Sequence, residues 1–234
     1  MKTLTLIPLL FVTLLSPLAL LAQEESVKPG INEKFLDRKL KPDEWVQRFE
    51  VESREVYSAR MEVLEACGIE PGDFIADVGA GTGLYTQVFA EATGAEGWVY
   101  AVDINPRFLE HIQRQAAAHE HANVTTVLCP EKSIALPHNS VDVVFICDTY
   151  HHFEYPAASL ASILTALRPG GKLVVIDFER IPGVTSDWIM NHVRAGKEVF
   201  SQEIVDAGFT LETEKDLEGL EENYFLIFRK PDEA

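Results

Sequence analysis

From Phe74 onward the chain alternates short apolar runs with longer mixed stretches. The runs are Phe74 to Val78, Trp98 to Val102 with Asp103 behind it, Val124 to Leu128, Val141 to Cys147, and Lys172 to Phe178. Such nearly unbroken apolar character marks strands buried on both faces of a parallel sheet. The stretches between them carry helix signals. Leu84 to Thr93 reads as one helix. Asn105 is an N-cap with Pro106 at the first helical position, which predicts a helix from Pro106 to about His119. Pro156 opens another that ends near Arg168, where Pro169-Gly170-Gly171 breaks it. The order β-α-β-α-β-β-α-β predicts an open α/β sheet.

The flanks follow other rules. Residues 35–69 read as an N-terminal helical cap, with two helices up to Gly68. Tyr57, Met61 and Leu64 recur at spacings of four and three, and Val56, Val63 and Cys67 widen that face. Residues 23–34, QEESVKPGINEK, are polar and read as a flexible linker. Residues 70–234 form the main domain. In its tail, Asn191 to Ala207 reads as a helix closed by Gly208. Phe209 to Glu214 and Tyr224 to Arg229 are strands with too little chain between them for a parallel crossover, so they pair as an antiparallel hairpin.

The first 22 residues change the cellular setting. MKTLTLIPLLFVTLLSPLALLA has one Lys, an apolar stretch and a small residue at Ala22. This is the build of an export signal, which implies a periplasmic or secreted protein. The alternative is a membrane anchor through residues 4–22, near the lower length limit for a span. The remaining chain suffices for one domain with a sizeable core. A formal net charge of −17 over 234 residues repels a polyphosphate backbone, so no nucleic-acid partner is expected.

Candidate chemistry concentrates at DVGAGTG, Asp77 to Gly83. Glycine lets the backbone turn sharply and approach a ligand. The helix from Leu84 offers free N–H groups to an anionic group. Asp103 follows 20 residues past Gly83, at the end of the second strand, where a carboxylate accepts ribose hydroxyls. A nucleoside-bearing cofactor is therefore expected. A dinucleotide fingerprint is G-x-G-x-x-G, but Leu84 stands where its third glycine belongs. The acid Asp77 ahead of the loop suits a cofactor with a cationic amino group rather than a pyrophosphate.

Four segments carry a resemblance: IADVGAGTG (75–83), VYAVDINP (99–106), SVDVVFICDTYHHF (140–153) and LRPGGKLVVIDF (167–178). Together they resemble the class I S-adenosylmethionine-dependent methyltransferases, over roughly residues 70–230. The chain is most similar to the small-molecule group that includes quinone-biosynthesis enzymes. Trp45, Phe49-Glu50 and Ser53-Arg54-Glu55 are similar to a bacterial set with a Tyr-His-His segment. The resemblance implies a Rossmann-like seven-stranded sheet in the order 3-2-1-4-5-7-6, strand 7 antiparallel, with helices on both faces. It implies S-adenosylmethionine as cofactor and methyl transfer to a small-molecule or lipid-like acceptor. A catalytically silent cofactor-binding protein on the same scaffold is the alternative. Asp77 is then expected to face the methionine amino group. Gly79, Gly81 and Gly83 belong to the cofactor loop, Asp103 binds the ribose, and Ile104 packs on the adenine. Lys132 stands where the family often has an Asp, so Glu131 or a backbone carbonyl takes the adenine contact. Cys147 or Asp148 lines the methyl side.

Tyr150, His151 and His152 follow strand four and are the candidate catalytic residues, a histidine being able to take a proton from an O or N nucleophile. The adjacent histidines lack a third ligand by spacing, so no metal is expected. His192 and Arg194 are placed toward the substrate side. Glu50, Arg54, Tyr57 and Arg60 either build the pocket or form a solvated face. In the implied strand order, Cys129 and Cys147 stand three inter-strand steps apart, roughly 14 Å. A disulfide needs Cα atoms within about 7 Å, so none is expected between them.

Overall fold

The structure is a computed structural model and describes residues 25–232. The apolar segment 1–22, with its two readings, lies outside the described residues. Among the described residues no helix is long and apolar enough to cross a membrane.

Seven strands form one sheet: β1 (Phe74–Val78), β2 (Trp98–Asp103), β3 (Val124–Leu128), β4 (Val141–Cys147), β5 (Leu167–Phe178), β6 (Thr210–Lys215) and β7 (Asn223–Arg229). Their order is β3-β2-β1-β4-β5-β7-β6. β1 to β5 run parallel, and β7 lies antiparallel between β5 and β6. Successive side chains on a strand point to opposite faces, and the core divides accordingly. Ala76, Val144, Ile146 and Val175 face one layer with Leu160, Ile163, Phe200 and Ile204. Ile75, Val143, Phe145 and Val174 face the other with Val63, Tyr85 and Phe89. The central strands β1, β4, β5 and β7 are thus covered on both faces, which is why their sequences read as nearly continuous apolar runs, whereas the edge strands β3 and β6 are partly exposed.

The helices are α1 (Pro42–Phe49), α2 (Glu55–Ser58), α3 (Arg60–Cys67), α4 (Leu84–Thr93), α5 (Pro106–Ala118), α6 (Pro156–Ala166), α7 (Asp187–His192) and α8 (Lys197–Asp206). A 3-10 turn spans Tyr150–His152. Asn105 caps α5 by accepting from Arg107 N, as the sequence predicts.

Four expectations need correction. The cap has three helices, and Met61 on the expected apolar face is exposed, because Val56, Ala59, Val63 and Ala66 set the buried stripe. The late helix is two: Val193 is extended, and residues 193–196 separate α7 from α8. Residues 167–171 are already in β5, which slips register against β4 between Val141 and Val143. The expected flexible linker is packed in place. Ser26 Oγ and Gly30 N donate to the Glu154 carboxylate at 2.5 and 3.2 Å. Asn32, 5% exposed, donates to Glu131 Oε1 and His152 O. Asn105 Nδ2 donates to Phe35 O and Asp37 O, fixing the far end of the segment.

Candidate functional site

β1 sits where strand order reverses, with β2 on one side and β4 on the other. Ligands bind in the crevice outside the carboxyl ends of strands at such a point. A cavity of about 860 Å³ opens there. Its floor is the β1–α4 loop and the ends of β2 and β4. Its roof comes from the cap and from residues 28–35.

The glycine loop divides by function. Gly79 has φ +73°, and a Cβ there would lie 2.1 Å from Thr149 Cγ2. Gly81 has φ +54°, and a Cβ there would meet nothing nearer than 3.8 Å. That open space belongs to the cavity, so Gly81 leaves room for a ligand close to the backbone. Gly83 departs from its expected role. It does not line the cavity, and a Cβ on it would strike Ile112 Cγ1 at 2.7 Å. Its use is close packing of α4 on α5, with φ +88° at the helix start.

Two buried carboxylates, Asp77 and Asp103, and the partly buried Asp148 close the floor. Asp77 accepts from Thr86 Oγ1 at 2.6 Å. Burial pushes it up to about 7, with the Thr86 hydrogen bond opposing. Asp103 accepts from Gly81 N at 2.9 Å and from Asn105 N at 2.7 Å. Burial raises it to about 6, against those backbone donors. A carboxylate has roughly four acceptor positions, so further lone-pair sites remain for a ligand. Asp148, at φ +47°, pairs with Arg54 and accepts from Asn223 Nδ2 at 2.6 Å. Burial lifts it to about 6 against the Arg54 charge.

Arg54 therefore ties the cap to the end of β4. Replacing it with alanine leaves the largely covered Asp148 carboxylate without its counter-charge. Arg54→Ala is expected to cost about 2–4 kcal/mol, read as a lower urea midpoint. An unchanged midpoint would show that apolar contacts alone hold the cap.

Ile104 and Glu131 both line the cavity, as expected of them. Glu131 is held by Asn32, a partner that sequence reading misses because it comes from the segment read as linker. Cys147 also lines the cavity, and burial pushes its thiol well up. Cys67, Cys129 and Cys147 are free cysteines, and β2 and β1 lie between the strands that carry the last two.

The Tyr150–His152 turn sorts its residues. Tyr150 was expected at the reacting centre, but the turn sends it into the core. It is fully buried, donates to Glu203 Oε2 at 2.9 Å, and packs on Phe200. His151 and His152 face the cavity. His151, 2% exposed, places Nδ1 2.7 Å from Asp177 Oδ1. Asp177 also accepts from the backbone N–H groups of His151 and Phe178. Asp177 ends β5, and no sequence spacing links it to His151. His151 Nε2 and His152 Nδ1 are buried without a hydrogen-bond partner.

His192 completes the group. Its ring centroid lies 5.0 Å from that of His151 and 5.1 Å from that of His152. Burial first, then the neighbouring rings, pushes His152 down to about 2 and His192 to about 4. His152 and His192 are thus neutral at neutral pH. The expectation that no third histidine is available is overturned here: α7 brings His192 from forty residues downstream.

Residues 76–175 match the methyltransferase domain family. Over 122 residues the chain is 28% identical to a ubiquinone/menaquinone biosynthesis C-methyltransferase of Cupriavidus taiwanensis, covering 52% of this chain and 50% of that protein. The chain spans about half the length of the curated relatives it matches. A SAM-dependent methyltransferase from Aquifex aeolicus superposes with TM-score 0.71 at 22% identity, covering 81% of this chain and 98% of that one. The [4+2]-cyclase SpnF superposes with TM-score 0.64 at 17% identity, covering 76% and 82%. The strand order and the glycine loop agree with these likenesses: residues 76–175 match the methyltransferase domain family, and the described chain has the fold of the Aquifex aeolicus SAM-dependent methyltransferase.

Proposed function

We propose that this chain transfers a methyl group from S-adenosylmethionine to a small-molecule or lipid-like acceptor, and that it does so as an exported protein. The observation that carries the reading is the Asp103 carboxylate, fixed by Gly81 N and Asn105 N at the wall of the cavity. The export part is supported by the N-terminal pattern of one Lys, an apolar run and Ala22.

The residues present suit the cofactor. Gly81 leaves the space that a Cβ would occupy. Asp77 offers a buried negative charge for the amino group. The first turn of α4 offers N–H groups to the carboxylate. Asp103 accepts the ribose hydroxyls, Ile104 packs against the base, and Glu131 stands at the adenine end. When bound, S-adenosylmethionine supplies a methyl group on a positively charged sulfur.

The chain's own contribution is largely positioning, which can supply much of the barrier reduction in a substitution. Phe35, Trp45, Phe49, Phe178 and Trp188 give the cavity apolar walls suited to a flat or lipid-like acceptor. The histidine face stands beside Asp148 and Cys147. It is the group that meets the acceptor's acidic hydrogen, or a cation that replaces that hydrogen. The ring acceptor implied by the name of the Cupriavidus relative fits those walls. SpnF shows that this fold also serves another reaction, so the site and not the fold carries the proposal.

The test is calorimetric titration of the purified protein with S-adenosylmethionine, S-adenosylhomocysteine and NAD. Micromolar binding of the first two, with none of NAD, is the expected result. Failure of both sulfur nucleosides to bind overturns the reading.

A further inference from the structure

We propose that His151, His152 and His192 form a binding site for a divalent transition-metal ion, zinc being the first candidate, with an open position toward the acceptor. The role at the acceptor rests on the methyltransferase reading; the metal site itself does not.

The geometry begins with the ligand atoms. One nitrogen from each ring lies within 4.8 Å of the other two. Three nitrogens at the usual 2.0–2.1 Å from a tetrahedral zinc stand about 3.4 Å from one another. Small ring rotations close that difference. Two of the available nitrogens, His151 Nε2 and His152 Nδ1, are buried with nothing to bond. Leaving a buried polar atom unpaired costs roughly 1–3 kcal/mol, so two such atoms on adjacent rings ask for an occupant. Neutral imidazole nitrogens carry lone pairs, and a cation can satisfy several of them at once.

The surroundings are those of a metal site. A ligating histidine usually gives its other N–H to a carboxylate, which fixes the tautomer and leaves the remaining nitrogen to the metal. Asp177 does this for His151, and two backbone N–H groups hold Asp177 in turn. Trp188 stacks on His192 at 4.9 Å, and Phe35 packs edge-on against His152 at 5.0 Å, restricting both rings. Asp177 and Asp148 supply negative charge nearby. Arg54 pairs with Asp148, and Lys28, whose Nζ donates to His192 O at 2.6 Å, and Lys34 are the cations nearer the rings. A three-histidine set leaves the fourth tetrahedral position open, the arrangement of catalytic rather than structural zinc. Here all three histidines line the cavity, so that position faces the acceptor.

The consequence is a choice of acceptor atom. A hydroxyl or thiol bound to the ion releases its proton to solvent more readily. The resulting lone pair attacks the methyl carbon, and the carbon–sulfur bond breaks. Its electron pair stays on sulfur, giving S-adenosylhomocysteine and the methylated acceptor.

The test uses untagged full-chain protein, stripped with a chelator and titrated with Co²⁺. One equivalent is expected to bind with the visible d–d bands of four-coordinate cobalt, to be displaced by Zn²⁺, and to raise the melting temperature. His192→Ala is expected to lose the bands, and Asp177→Asn to weaken cobalt binding about 10- to 100-fold. Absence of the bands in the wild-type protein overturns the site, as does a His192→Ala variant that binds cobalt like the wild type. The wild-type spectrum and melting shift stand without any variant. Titration of the same samples with S-adenosylmethionine separates the two claims. A protein without the cobalt bands that binds the nucleoside overturns the metal site alone. A protein with the bands that fails to bind the nucleoside supports the site and overturns the methyltransferase reading.

Discussion

Asp103→Ala is expected to lower S-adenosylmethionine affinity by at least about 100-fold. A hydrogen bond to a charged group contributes roughly 1.5–3 kcal/mol, and each 1.4 kcal/mol is a factor of ten. Two ribose hydroxyls on one carboxylate therefore account for two orders of magnitude or more. The substitution also frees Gly81 N and Asn105 N, which the carboxylate now holds at 2.9 and 2.7 Å. Asp103→Asn separates the two effects, since the amide oxygen keeps one acceptor for the loop while the charge is lost. It should fall between wild type and alanine. Calorimetric titration of the three proteins provides the measurement, and equal affinities would remove the ribose assignment.

Asp77→Asn is expected to do two opposite things: stabilise the ligand-free protein at alkaline pH and weaken S-adenosylmethionine binding about 10- to 100-fold. The carboxyl stands at about 7 in the fold because burial penalises its charge. An unfolded aspartate titrates near 3.9. A group raised on folding contributes its stability below the unfolded value and loses it as pH rises through the folded one. Above pH 7 the ionised Asp77 therefore burdens the fold, by at most about 4 kcal/mol at ~1.36 kcal/mol per pH unit. Asparagine is neutral throughout and removes that burden. Its melting temperature at pH 8 should exceed the wild type's by several degrees, with the difference gone near pH 4. A cationic amino group beside the carboxylate offsets the same burden, which is why the acid suits a ligand of that charge. A lower melting temperature for the variant at pH 8 would show that Asp77 is already satisfied without ligand.

Much of the central domain was legible because its physics is local. β1 and β4 follow from their apolar runs residue for residue, since central strands covered on both faces are largely apolar, and the edge strand β3 follows from its β-branched VTTVL run. Asp77, Gly79, Gly81 and Asp103, singled out from the glycine loop and the end of the second strand, all line the cavity. What escaped was held by distant polar pairs. Residues 25–34 look like a linker because Val27 and Ile31 stand alone among polar residues and set no periodic apolar face. Their hold comes from Glu154, Glu131 and the His152 carbonyl, about a hundred residues away. Gly83 and Tyr150 were misassigned for a related reason. Each adjoins site residues in sequence, but helix packing claims the first and the core claims the second. Asp177 and His192 carry no motif of their own, and only the converging ends of β5 and α7 bring them to His151.

The antiparallel course of β7 has a practical consequence. β7 leaves the sheet beside the start of β5, where Lys230 N meets Gly171 O and Lys230 Nζ reaches Leu167 O. The cavity lies at the other end of β5, beyond Phe178, and residues 28–35 form part of its wall. The two ends of the described chain thus serve opposite poles of the molecule. A dye, resin or fusion partner joined beyond Lys230 leaves the mouth of the cavity clear. The same attachment made just before Ser26 stands two residues from Lys28, where the cavity lining begins, and an expression clone started at Glu44 would lack a wall of the very chamber it was made to study.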